Sequence, residues 1–257
     1  MRLRIRLALA ALAVGMLIAP GAQAVVTFTQ PLWFTWSKAN FLVYVVPPEH
    51  GQVFNDNLLL NNLKPSEEVP CTSSYTVAIN ESIKDWDRAI NAYGSTALKA
   101  GLHIKHYVIG CETVPQADIR KPDIIVTTDE DKTFILGVAV RTAQACIVDN
   151  SKFLITSMTY QDMFNINAQE YGHCLGLDHV GGGTDGPNGD KHDPMNGLYP
   201  HDPGSLDGID LHCVSNLNVK GLENVFNGPL GTGTTAAQVT MPQTSYIRLA
   251  SCGPTPV

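Results

Sequence analysis

Eleven residues, Gln169-Glu170-Tyr171-Gly172-His173-Cys174-Leu175-Gly176-Leu177-Asp178-His179, constrain this chain more than any other stretch. On a helix, positions 169 and 173 lie one turn apart and face the same way. Gly176 has no Cβ, so the chain can reverse there and return His179 to the same point. Side chains then converge from two directions, as a shared metal ion requires, with Glu170 beside them. By itself a helical glutamate reads as part of a solvated face. Its place between Gln169 and His173 argues against that reading here.

The N-terminus bears on compartment. Arg2, Arg4 and Arg6 precede an apolar run over residues 7–19, and Ala22-Gln23-Ala24 supplies a small-x-small pattern. These are the marks of a secretory signal over residues 1–24, cleaved after Ala24. The run is short for a membrane span, and no later segment is apolar over that length. The mature chain is therefore expected to be secreted, extracellular, monomeric and off the membrane. A net charge of −7 argues against a nucleic-acid partner, which needs a basic face. The six cysteines, at 71, 111, 146, 174, 213 and 252, all follow the signal. An even count in an exported chain predicts structural disulfides, and the absence of a CxxC pair argues against a cysteine zinc site.

Residues 25–39 form an N-terminal segment of mostly extended pattern. Phe41 to Val46 reads as a strand closed by Pro47 and Pro48. The 55–66 stretch is mostly polar and reads as a surface loop. Ile79, Ile83, Trp86, Ile90 and Tyr93 mark one face of a helix, capped by Ser73 or Ser74 and ended by Gly94. Strands are expected over 102–109, 123–127, 133–141 and 146–155. Thr159 or Ser157 caps a second helix over 160–175, with Phe164, Ala168, Tyr171 and Leu175 toward the core. A third helix is expected over 205–217, and residues 227–257 read as a tail that Cys252 can pin. Strands around an early helix, followed by further helices, make an α/β (α+β) domain over residues 40–226.

The motif resembles the long zinc sequence of metzincin metalloproteases, HExxHxxGxxH, with Gln169 at its first position. His192-Asp193-Pro194-Met195-Asn196, starting thirteen residues after His179, resembles the Met-turn of that clan. The helix around Trp86, the strand at 123–127 and the helix at 205–217 follow a matrixin-like order. The resemblance implies a twisted mixed sheet of about five strands, an upstream helix, an active-site helix, a Met-turn and a C-terminal helix. It further implies Gln169, His173 and His179 as metal ligands, Glu170 as general base and Met195 as a support beneath the metal. The partner would be a protein or peptide substrate, extended along an edge strand at 133–141. It also suggests a disulfide between Cys174 and Cys213, on helices that would pack together. Cys71 with Cys111 is a further expected pair. No cysteine precedes the first strand, so a cysteine-switch propeptide is not expected.

Gln169 has three readings. QExxHxxGxxH is similar to the gametolysin-like metzincins, which include active proteases, some associated with copper; the metal is then zinc or copper. Alternatively the site is degenerate and the chain a secreted binding module, since a carboxamide oxygen is a poorer zinc donor than imidazole. In the third, His192 replaces the missing ligand. The glycine-rich loop at 181–193 carries Asp185, Asn188, Asp190 and Asp193, oxygens of the kind that bind calcium, but without EF-hand spacing. Histidines 50, 103, 106, 201 and 212 lack ligand spacing with the motif.

Overall fold

The computed structural model describes residues 26–46, 71–129, 137–142, 145–151, 159–180, 190, 192–196, 211–231 and 236–253. The expected signal, the 55–66 loop, residues 133–136 and 152–155 of two expected strands, and residues 205–210 lie outside them, as does most of the glycine-rich loop.

The described chain is a mixed α/β fold around a five-stranded mixed sheet. Its elements are β1 (Thr27–Pro31), β2 (Asn40–Val45), α1 (Ser74–Tyr93), α2 (Thr96–Gly101), β3 (His103–Val108), β4 (Ile124–Asp129), β5 (Gly137–Arg141), β6 (Cys146–Ser151), α3 (Tyr160–Cys174), α4 (Asn216–Val225), α5 (Asn227–Leu230) and β7 (Gln238–Pro242). The large sheet runs β3-β2-β4-β6-β5. Its first four strands are parallel, and β5 is an antiparallel edge. Alternation sorts its faces: Phe41, Val43, Val45, Ile124, Val126, Cys146 and Val148 meet α1 and α3, while Leu42, Tyr44 and Ile125 form a smaller cluster on the other side.

α1 and α3 form as their patterns dictate. Ser73 accepts from the Thr76 N–H and Gly94 ends α1, while Thr159 and Asp162 make a reciprocal capping box on α3. The two helices cross with polar ties inside the core. The Trp86 indole N–H donates to Ala168 O at 3.0 Å, and Asn167 donates to Ser82 Oγ at 2.7 Å. Phe164, Ala168, Tyr171 and Leu175 are all fully buried.

Several expectations need correction. Residues 211–215 are not helical; Ser215 caps α4, which begins only at Asn216. The Ser215–Asn218 capping box sets that start, and Leu217, Leu222 and Val225 supply its buried face. The segment from 227 onward is not without regular structure: β7 pairs antiparallel with β1, with Thr27 opposite Pro242 and Pro31 opposite Gln238. Cys174 does not bond Cys213. The disulfides are Cys71–Cys111, Cys146–Cys174 and Cys213–Cys252, so the first expected pair is wrong and the second holds. Cys174 ends α3 against the sheet, and this puts its partner on β6 rather than near α4. No helix among the described residues is long and apolar enough to cross a membrane.

Candidate metal centre

The last turn of α3 and the reversal after it bring together three of the expected side chains. Gln169 Nε2 lies 2.9 Å from His179 Nε2, and His173 Nε2 lies 3.0 Å from that same atom. The two imidazoles meet at 69°, with ring centroids 4.6 Å apart. Gly176 makes the reversal at φ +105°, a conformation open to glycine at little cost. A Cβ there would stand 2.7 Å from Phe34 O.

His173 is in the state a metal ligand needs. Its Nδ1 is 2.8 Å from Leu177 O; a carbonyl only accepts, so Nδ1 carries the proton and Nε2 presents its lone pair to the cluster. Burial pushes its pKa down to about 4, against the opposing pull of that hydrogen bond. The carboxamide of Gln169 can turn either end toward His179, nitrogen as donor or oxygen as ligand. Two imidazoles suit zinc or copper, and a carboxamide oxygen would be the poorer third donor beside them. Two nitrogens bound tetrahedrally to one zinc stand about 3.3 Å apart, so the 3.0 Å between His173 Nε2 and His179 Nε2 fits with a shift of a few tenths of an ångström. Among the described residues, no three His, Cys, Asp or Glu side chains form such a group; the third side chain at this cluster is the Gln169 carboxamide.

Glu170 lies next to these donors, packed under β5. Burial pushes its pKa up to about 7, while a hydrogen bond from the Ala139 backbone N–H pulls the other way. The close approach depends on Gly137, where a Cβ would meet Glu170 Cγ at 3.0 Å and Ile166 Cγ2 at 2.8 Å. Since Ala139 turns its N–H to Glu170, and Thr142 N–H goes back to Ala145 O, β5 serves its neighbour with its even-numbered residues. Its odd-numbered residues face the open edge. A pocket of about 330 Å³ lies between this strand and the cluster, lined by Trp33, Gly137, Val138, Ala139, Gln169, Glu170, His173, Asp178 and His179.

Met195 sits beneath α3. A Cβ on Gly172 would collide with Met195 Sδ and stand 2.6 Å from Trp86, so glycine admits the methionine directly under the residue before His173. The turn is held by Asp193, whose carboxylate accepts from Met195 N–H at 2.8 Å, Ser215 Oγ at 2.7 Å and Tyr246 OH at 2.8 Å. Burial raises the Asp193 pKa, and these donors oppose it. Asp190, another oxygen of the glycine-rich loop, pairs with Arg248 Nε at 2.6 Å. His192 packs edge-on against His212, with centroids 5.8 Å apart, and is not among the residues lining the pocket.

The N-terminal segment supplies parts of the site that motif reading overlooked. Asp178 N–H donates to Pro31 O at 3.0 Å, Trp33 N–H to Gly176 O at 2.9 Å, and Leu32 bridges Leu177. Gln30, fully buried, donates to Asp178 O and accepts from Asn218 Nδ2 at 2.9 Å. The turn that carries His179 is thus held to residues 30–34 by one antiparallel bridge and the hydrogen bonds that flank it. Trp33 stacks edge-on against His173, centroids 5.9 Å apart at 81°. The extended pattern expected over residues 25–39 agrees with β1, but nothing in it pointed to the site. No family model matches this chain, and no curated protein matches it.

Proposed function

We propose that the chain is an exported, metal-dependent endopeptidase of metzincin type. Gln169, His173 and His179 hold the metal, and Glu170 is the general base. The observation that carries this reading is the approach of Gln169 and His173 to within 3.0 Å of His179 Nε2, with the Glu170 carboxyl adjoining and an open strand edge alongside. A bound zinc or copper ion supplies Lewis-acid polarisation of a carbonyl and lowers the pKa of water.

The chain's own groups do the rest. Glu170 takes a proton from the attacking water and gives it to the leaving amine. Its buried setting favours the protonated form, which suits the second of these transfers. His173 is kept in one tautomer by Leu177 O. Strand β5 orients an extended peptide through the outward backbone groups that Glu170 does not occupy, those of Gly137 and Arg141 and the Ala139 carbonyl, as in strand addition. Three disulfides support an oxidising destination. Calcium at the glycine-rich loop stays a weaker part of this reading, because Asp190 and Asp193 already serve Arg248, Ser215 and Tyr246.

The test is casein hydrolysis by the zinc-loaded chain beside Glu170→Ala. Loss of a general base costs about 10²–10⁴-fold in rate, and an undiminished rate in the variant would sink the assignment. The carboxamide at the first ligand position favours one second reading, a catalytically degenerate secreted binding module. Gln169→His separates the two: metal and activity appearing only in that variant would sink the endopeptidase reading and show a degenerate site.

A further inference from the structure

Trp33 is 44% exposed, although few side chains gain more from burial. It stands at the pocket rather than on a remote surface. Val138 and Ala139 line the same pocket on the β5 side, and the Gln169, Glu170, His173 and His179 cluster lines the rest. One edge of its surroundings is filled by His173 and another by Phe34, whose ring lies 5.3 Å away at 63°. Its backbone is fixed by the bond to Gly176 O and by the Leu32–Leu177 bridge. A rigid, two-torsion aromatic held this way binds a partner with little ordering cost.

We propose that Trp33 is the specificity-determining wall of the cleft, taking an apolar and preferably aromatic side chain from the amino-terminal side of the bond to be cut. This rests on the endopeptidase reading and deepens it. The direction follows from strand chemistry. A peptide added antiparallel to β5 runs from the Arg141 end toward Gly137, so residues ahead of the scissile bond lie toward Arg141. Trp33 lies toward that end: it meets His173, whose neighbour Cys174 is bonded to Cys146, the register partner of Arg141, whereas Gly137 faces Ile166 and Glu170 earlier on the helix. The apolar Val138 and Ala139 opposite, and the Asp178 carboxylate at the rim, disfavour an acidic side chain in the same space.

The experiment uses the full exported chain loaded with zinc and peptides that differ only at the residue before the cleaved bond: Phe, Leu, Ala, Lys or Asp. The Phe and Leu peptides should exceed the Ala peptide in kcat/KM by about tenfold, the scale of an aromatic contact plus burial. In Trp33→Ala that ratio should fall to near one, and in Trp33→Phe most of it should return. A preference for Lys or Asp, or a ratio indifferent to Trp33→Ala, overturns the proposal. Peptide binding to Glu170→Ala, followed by equilibrium titration, gives a readout without hydrolysis. If no peptide is cut, the endopeptidase reading fails, and the wall is judged by binding alone. Tighter binding of the Phe peptide, lost in Trp33→Ala, supports it; equal binding of Phe and Ala peptides, or none, overturns it.

Discussion

The two halves of the site are built by different means. Helix α3 carries Gln169, Glu170 and His173 within its last two turns, anchored by Trp86, Met195 and the Cys146–Cys174 bond. His179 and Met195 sit on turns held by chain ends: residues 30–34 clamp the first, and Tyr246 and Arg248 brace the second. The clamp itself is closed by β1 pairing with β7 and by Cys213–Cys252. One half is local in sequence, whereas the other is assembled from segments well over a hundred residues apart, such as Gln30 and Asp178. A metal centre can therefore depend on residues that carry no chemistry of their own.

The joint between the halves should be the most sensitive point. Gly176→Val combines a strained positive φ with a clash against Phe34 O, for a loss of about 4 kcal/mol. Chemical denaturation measures it, and a loss below about 1 kcal/mol would mean that the clamp yields easily. Removing the bond that anchors the helix-borne half, by Cys146→Ala with Cys174→Ala, frees a loop of sequence separation 28. The expected cost is about 3.5 kcal/mol on the loop-entropy account, read from the same denaturation curves.

Gln30→Ala attacks the clamp alone. It leaves Asn218 Nδ2 and Asp178 O short of a partner inside the protein, worth about 2 kcal/mol. The account also expects weaker zinc binding, because the turn bearing His179 loses its tie. A stability loss with unchanged zinc affinity would show that the clamp supports the fold and not the site.

The remaining prediction concerns pH. Asp85 on α1 accepts the Val214 N–H at 3.1 Å, and burial pushes its pKa up to about 7. A carboxyl with a raised folded pKa gives stability that is full below its unfolded pKa and is lost as pH rises through about 7. Asp85→Asn should flatten this decline between about pH 4 and about pH 7 in thermal melts. An unchanged slope would assign the decline to other groups.

The same division decides what could be read from sequence. Helical periodicity and caps are local, so α1, α3, Ser73 and Thr159 were legible, as was the convergence of Gln169, His173 and His179. The five-stranded sheet followed from buried runs such as Ile124 to Val126. The antiparallel pairing of β1 with β7 was not legible, because each strand has five residues and their partnership lies far apart in the chain. The start of α4 could have been found from Ser215 and Asn218, whose capping box is a local signal. Cystine partners depend on which elements touch: Cys174 faces β6, and nothing local to either cysteine records that contact.

Metal stoichiometry tests the central claim most directly. The exported chain, stripped with chelator and re-equilibrated with zinc, would be measured by elemental mass spectrometry beside His173→Ala and His179→Ala. The account predicts one equivalent in the native chain and none tightly held in either variant. No metal in the native chain, or one equivalent retained in both variants, would contradict it.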